Sequence, residues 1–148
     1  YPGITHLRDL SPAQVAAQAL ELPDVIARRC RFIVEENQRV LDLAPALSTG
    51  DRQRLYNLLA ESYRGACDLY EIGAPAMEHM MRAMLGAPGV IGARQAGAGF
   101  GGCMVALVEI EQVENFRQHV MEAYAASTGV EPHAYAVTAA AGAGPLVL

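Results

Sequence analysis

Lysine is missing from this chain altogether: all eleven basic residues are arginine. That absence removes several mechanisms at once. A Walker-type phosphate loop needs its lysine on the β- and γ-phosphates, and a protein kinase needs the lysine of its third strand. Schiff-base chemistry is excluded on the same ground. Cysteine is scarce. Cys30, Cys67 and Cys103 lie far apart with no C-x-x-C pair, which argues against a disulfide framework and for a reducing compartment. All three read as small buried apolar residues. His6, His79, His119 and His133 show no H-E-x-x-H or comparable ligand spacing, so no metal site is expected in this chain. Basic runs are lacking too, and a net charge of −5 speaks against a nucleic-acid partner. The longest uncharged run, 134–148, contains Gly142, Gly144 and Pro145 and falls short of the roughly 20 apolar residues of a membrane span. No charged segment followed by an apolar one opens the chain, so no secretory leader is expected. The reading is a soluble, cytoplasmic protein with no membrane partner. It begins at Tyr1 rather than Met and is expected to be one piece of a longer polypeptide.

What is present suits a single globular domain over 1–148, with 52% hydrophobic and 18% charged residues. Ser11-Pro12-Ala13-Gln14 is a helix start, with Ser11 as cap, Pro12 in the first turn and Gln14 closing a capping box. Pro23 should interrupt this short helix. A long helix then places Ile26, Cys30, Ile33, Val40, Leu41 and Leu47 on one face, with Pro45 expected to kink or restart it. Asp51 caps a helix carrying Leu55, Leu58, Leu59 and Ser62 on one side. After an extended link at Tyr70 to Ile72, Ala74-Pro75 opens a helix whose apolar face is Met77, Met80, Met81, Met84 and Leu85, and Pro88-Gly89 ends it. This methionine stripe reads as core packing rather than a binding groove. Val90 to Ala96 reads as a strand and Gly97 to Gly102 as a loop. Cys103 to Glu109 reads as a buried strand, apolar on both faces. Val113, Phe116, Val120 and Tyr124 mark a helix ending at Gly129, and His133 to Thr138 reads as a last strand. The order gives an α+β class: N-terminal helices packed on a small antiparallel sheet built as β-loop-β, helix, β.

Chemistry concentrates at Gly97-Ala98-Gly99-Phe100-Gly101-Gly102. Its four glycines permit positive φ and bring amides close to a ligand, the makings of an anion-binding nest. The segment satisfies G-x-G-x-x-G, but a dinucleotide fingerprint must lead from a strand into a helix. Here the glycines lead into the strand pattern of Cys103 to Val108, so that reading fails. A protein-kinase glycine loop fails on length and on the missing lysine. Two readings remain, a phosphate-side loop and a tight hairpin in which glycine only permits the turn. Phe100 is expected to pack under the loop. Arg94 could reach a phosphate or a carboxylate of a partner half, but reads rather as half of a surface or interdomain ion pair. Arg28, Arg29 and Arg31 with Glu35 and Glu36 read as a solvated, salt-bridged helix face. Asp68 and Glu71 flank Tyr70 without a spacing that assigns acid/base work.

The stretch Gly92 to Cys103 resembles the third motif of the galactokinase branch of the GHMP kinases, which ends in a Gly-x-Gly-Phe-Gly-Gly-Cys run. The likeness extends over nearly the whole chain, through Leu7-Arg8-Asp9, Arg28-Arg29-Cys30-Arg31 with Glu36-Asn37, Gly50-Asp51, Glu61-Ser62, and Asp68-Leu69-Tyr70-Glu71-Ile72 with Pro75. Gln95 and Ala96 stand where the family usually has Met and Thr. Tyr63 replaces a His, and Cys67 and Leu69 replace an Arg and an Asp. The resemblance implies a ferredoxin-like C-terminal domain, with ATP, Mg2+ and a small sugar bound between it and an N-terminal kinase domain of the same polypeptide. That other domain would carry the Ser-rich phosphate loop and the catalytic Asp, so no catalytic residue is assigned here. The segment Gly97, Ala98, Gly99, Phe100, Gly101, Gly102 would form the nucleotide- and substrate-side wall, and the chain alone is expected to lack turnover. Another GHMP kinase specificity, or a stand-alone α+β interaction or regulatory module, are the alternatives.

Overall fold

The computed structural model describes residues 1–97, 99–142 and 144. A 3-10 turn at Leu7–Asp9 leads to helix α1, Pro12–Ala17, and a second 3-10 turn at Ala19–Glu21. Helices α2 (Asp24–Thr49), α3 (Arg52–Asp68) and α4 (Pro75–Leu85) follow, then strands β1 (Val90–Ala96) and β2 (Cys103–Val108), and finally helix α5 (Val113–Thr128). The α+β class is as expected: helices pack on a small antiparallel sheet.

Local chemistry sets the boundaries. The Ser11 Oγ accepts from the Gln14 amide at 3.3 Å and the Gln14 Oε1 accepts from the Ser11 amide at 2.8 Å, a complete capping box. The Asp51 carboxylate accepts from the Arg54 amide at 2.9 Å at the start of α3. Gly129 ends α5 in the left-handed conformation. Pro45 departs from expectation, since α2 runs unbroken through it to Thr49. The proline removes one amide near the helix end, where Leu41 and Pro45 both face solvent, so the carbonyl left over can be hydrated.

Strand β1 is the centre of the molecule. It pairs antiparallel with β2, Ala93 opposite Ala106 and Gln95 opposite Met104, with a register shift between Val90 and Gly92. On one side Ala93, Met104, Ala106 and Val108 meet Met81 and Met84 of α4 and Phe116 and Val120 of α5. On the other, Ile91 and Leu107 meet Ala46 of α2 and Leu55 and Leu58 of α3. Gly92 lets α3 sit this close: a Cβ there would fall 2.8 Å from the Leu59 side chain and 3.3 Å from the Tyr56 Cα. The methionines of α4 are core, as expected, with Met77, Met81 and Met84 all buried.

Three expectations are corrected. Strand β2 is not buried on both faces, since Cys103 and Val105 are exposed: the helices cover β1, leaving β2 as the outer strand. Residues 133–138 form no strand, and the described sheet is two-stranded. Tyr135 and Val137, which should supply the inward face, are 81% exposed, and a strand with no apolar surface to bury has little to fix its register. Helix α2 does gather Ile26, Val40, Leu41 and Leu47 on one face, but that face is exposed; its buried residues are Phe32, Val34 and Ala46. Among the described residues no helix is long and apolar enough to cross a membrane.

Candidate functional site

The glycine loop joins β1 to β2 and stands at the end of the sheet. Its described residues, Gly97, Gly99, Phe100, Gly101 and Gly102, all have positive φ, from 58° at Phe100 to 131° at Gly101. Ala98 lies outside the described residues. Such a run of positive φ is a backbone path that glycine permits and few other residues adopt. Phe100 does not pack beneath the loop; it is 74% exposed, and in a left-handed conformation its side chain is thrown outward while its amide turns inward.

That amide donates to the Ile72 carbonyl at 2.8 Å. Of the residues expected to line the site, Phe100 therefore moors the loop to the α3–α4 link rather than offering its N–H to a ligand. Gly99 makes the mooring possible, because a Cβ at that position would lie 2.6 Å from the Ile72 Cβ and 2.7 Å from its carbonyl oxygen. At φ 88° the position would be strained for any other residue even without that contact.

The link is itself held from a distance. Glu71 adopts φ 58°, left-handed and unfavourable for a glutamate, and the extended conformation expected for Tyr70 to Ile72 fails there. Two arginines of α2 grip its carboxylate, Arg28 Nη1 at 2.5 Å and Arg29 Nη2 at 2.6 Å. Arg29 also donates to the Leu69 carbonyl at 2.9 Å and lies 5.2 Å over the Tyr70 ring, which packs on Phe32. Hydrogen bonds from Arg28 and then Arg29 hold the Glu71 carboxyl below the usual carboxylate range. The same pairing raises Arg28 further above its ordinary value. Arg28 and Arg29 thus leave the solvated face expected of them, and only Arg31 makes the helix pair foreseen, to Glu35 at 2.6 Å.

Beneath the sheet lies a second polar knot. Arg94 of β1 reaches the Glu36 carboxylate at 2.9 Å, a half-buried pair within this chain rather than the surface or interdomain pair expected, and the same carboxylate accepts from Ser62 at 2.7 Å and Arg39 at 2.8 Å. These contacts join α2, α3 and β1 next to the strand that feeds the loop. Gln95 is buried, and its Oε1 has no partner among the described residues. Ala96 is exposed at the loop's mouth. Two of the departures from the family pattern are therefore of different kinds: Gln95 faces the core, and Ala96 removes a hydroxyl beside the loop. Tyr63 and Cys67 are half-buried. Burial pushes both the phenol and the thiol above their ordinary values.

The loop itself carries no acid or base side chain. Its nearest named carboxylate, Glu71, is taken by two arginines. Among the described residues no three His, Cys, Asp or Glu side chains gather into a metal-ligating cluster. A cavity of about 500 Å³ between α2 and α3 lies away from the loop, and its Arg31–Glu35 and Arg54–Asp42 pairs answer one another. Sequence patterns missed the Arg28–Glu71–Arg29 tether. Its signal was present in the Arg-Arg and Tyr-Glu pairs, which sit in separate segments that no local periodicity connects.

Residues 43–126 match the family model described as GHMP kinases C terminal. A galactokinase of Roseiflexus sp. is 40% identical over 144 residues, which cover 97% of this chain and 37% of that protein. A galactokinase of Pasteurella multocida is 39% identical over 144 residues, 95% of this chain and 37% of that one. The crystal structure of Lactococcus lactis galactokinase complexed with galactose superposes with a TM-score of 0.78 at 32% identity, over 86% of this chain and 33% of that one. The chain thus spans little more than a third of the length of the relatives it matches.

Proposed function

The chain belongs to the GHMP kinase C-terminal family, and from that premise we propose that it is the C-terminal part of a galactokinase-like, ATP-dependent sugar kinase. In this reading residues 1–148 are one domain, working with an N-terminal kinase domain in the cytoplasm, and galactose is the first substrate to test. The observation that carries the reading is the moored loop. Successive positive-φ residues from Gly97 to Gly102 are fixed against Ile72 through the Phe100 amide and the bare Cα of Gly99. A hairpin that only needs to turn has no use for such a mooring.

Phosphoryl transfer through a loose transition state depends on positioning and on electrostatic stabilisation more than on covalent chemistry. A rigid nest of amides answers that need. It sets fixed dipoles where negative charge develops, at no reorganisation cost during the reaction. ATP brings the transferred phosphoryl group. Mg2+ and the group that receives the sugar proton belong to the other domain in this reading.

The test is a chimera in which this chain replaces the matched stretch of the Roseiflexus galactokinase. The expected outcome is ATP-dependent phosphorylation of galactose by the chimera and none by the 148-residue chain alone. A folded chimera with no sugar-kinase turnover on galactose or related sugars would overturn the proposal. Turnover by the chain alone would overturn its two-domain form.

A further inference from the structure

Helix α2 buries Phe32, Val34 and Ala46, yet it leaves much of a second apolar stripe in solvent while several of its charges turn to the rest of the chain. Ile26, Ile33, Val40 and Leu47 recur at every seventh position, with Cys30 and Leu41 alongside. At 3.6 residues per turn these six side chains fall within an arc of about 120°, which also holds the polar Asn37 and Ser48, with Arg29 at one margin as its sole charge. Four of the six are exposed, 48% at Ile26, 58% at Val40, 68% at Leu41 and 51% at Leu47, while Cys30 and Ile33 are half-buried. Elsewhere on the same helix the charged residues turn inward or sideways, Arg28 and Arg29 to Glu71, Glu36 to Ser62 and Arg94, and Asp42 to Arg54. An ordinary surface helix is arranged the other way round.

We propose that the Ile26–Leu47 stripe is the seat of an apolar-faced helix from the part of the kinase that precedes this domain; the proposal rests on the two-domain reading above. The seven-residue repeat names the kind of partner. Such a repeat drifts by about 20° per heptad around a straight helix, the path along which two helices pack at a crossing angle of about 20°. From Ile26 to Leu47 the stripe runs about 32 Å, enough for a partner helix of several turns. The relatives supply the length: this chain covers 37% of the Roseiflexus and Pasteurella galactokinases, so more than half of each lies beyond the match. The family model describes a C-terminal region, which puts most of that remainder ahead of it.

Cysteine reactivity tests the stripe. Val40→Cys, and Gln118→Cys on the exposed side of α5 as the control, are each made in the 148-residue chain and in the Roseiflexus chimera. Maleimide labelling is then followed peptide by peptide. In the chain alone both positions should label at similar rates. In the chimera Val40→Cys should slow by about tenfold or more while Gln118→Cys holds its rate. Equal labelling of Val40→Cys in both proteins would overturn the proposal. So would slow labelling in the chain alone together with a dimer's mass by light scattering, since a second copy would then own the stripe. Turnover separates the two claims. An active chimera with an open Val40→Cys sinks the stripe and leaves the kinase reading standing, whereas a protected Val40→Cys in an inactive chimera does the reverse. If the cysteine variants do not fold, hydroxyl-radical footprinting of Ile26 and Leu47 in the unsubstituted proteins reads the same difference.

Discussion

Glu71 connects helix α2 to the glycine loop, although it touches no loop residue through its side chain. Its left-handed backbone is held by Arg28 and Arg29, and the next residue presents the carbonyl that accepts from Phe100. Glu71→Gln should therefore loosen the loop without unfolding the protein. Half-exposed ion pairs are worth little each, so amide exchange at Phe100 should quicken by about threefold to tenfold, with global stability nearly unchanged. The pH dependence has a definite sign. Because the folded Glu71 carboxyl is held below its ordinary range, its contribution is fully present above the unfolded pKa and is lost as pH falls through the folded one. A carboxyl 13C titration of Glu71 should accordingly find its midpoint below the ordinary glutamate range. Gln95 gives a prediction of the opposite sign. Its buried Oε1 lacks a partner, and an unsatisfied buried amide costs about 1–3 kcal/mol. Gln95→Met, of similar shape, should raise unfolding free energy by about 1 kcal/mol or more in urea titrations. The tether was the part of the site least visible beforehand. Arg28, Arg29 and Glu71 could each be picked out by motif, but a contact across 42 residues leaves no trace in helical spacing.

At the level of elements, caps and breakers were legible because their physics is local. Ser11 with Gln14, Asp51 before α3, Pro75 at the start of α4 and Gly129 after α5 each satisfy their own helix end, and β1 falls where its β-branched start and glycine-rich end put it. What periodicity cannot supply is the identity of the neighbour. It placed Ile26, Val40 and Leu47 on one face of α2, and that face proved to be the outer one. It marked 133–138 as a strand, but alternation without a covering layer does not hold a strand in place. Two substitutions test the elements that position the loop. Gly99→Ala puts a Cβ against Ile72 at a left-handed position, and should lower stability by about 1–3 kcal/mol while shifting the Phe100 amide resonance. Phe116→Ala empties the contact between α5 and the sheet and should cost about 3–5 kcal/mol by urea denaturation. A loss near zero would mean that α5 does not pack into the core it shares with α4 as described.

In the proposed reading the whole molecule is one wall of a cleft. It has a loop of successive positive-φ residues, arginines turned to structural use, no lysine, and among its described residues no cluster of three metal-ligating side chains. On that reading it positions phosphates and leaves the completion of phosphoryl transfer to the other domain. Its length, little more than a third of its galactokinase relatives, and the apolar stripe along α2 point the same way. The most direct check is glycine-selective 15N NMR of the chimera titrated with MgATP. Resonances of Gly97, Gly99, Gly101 and Gly102 should shift, with Gly129 in the turn after α5 staying still. If the chimera binds and turns over MgATP while those loop glycines do not move, the loop is only a turn, and the nucleotide-side wall lies elsewhere.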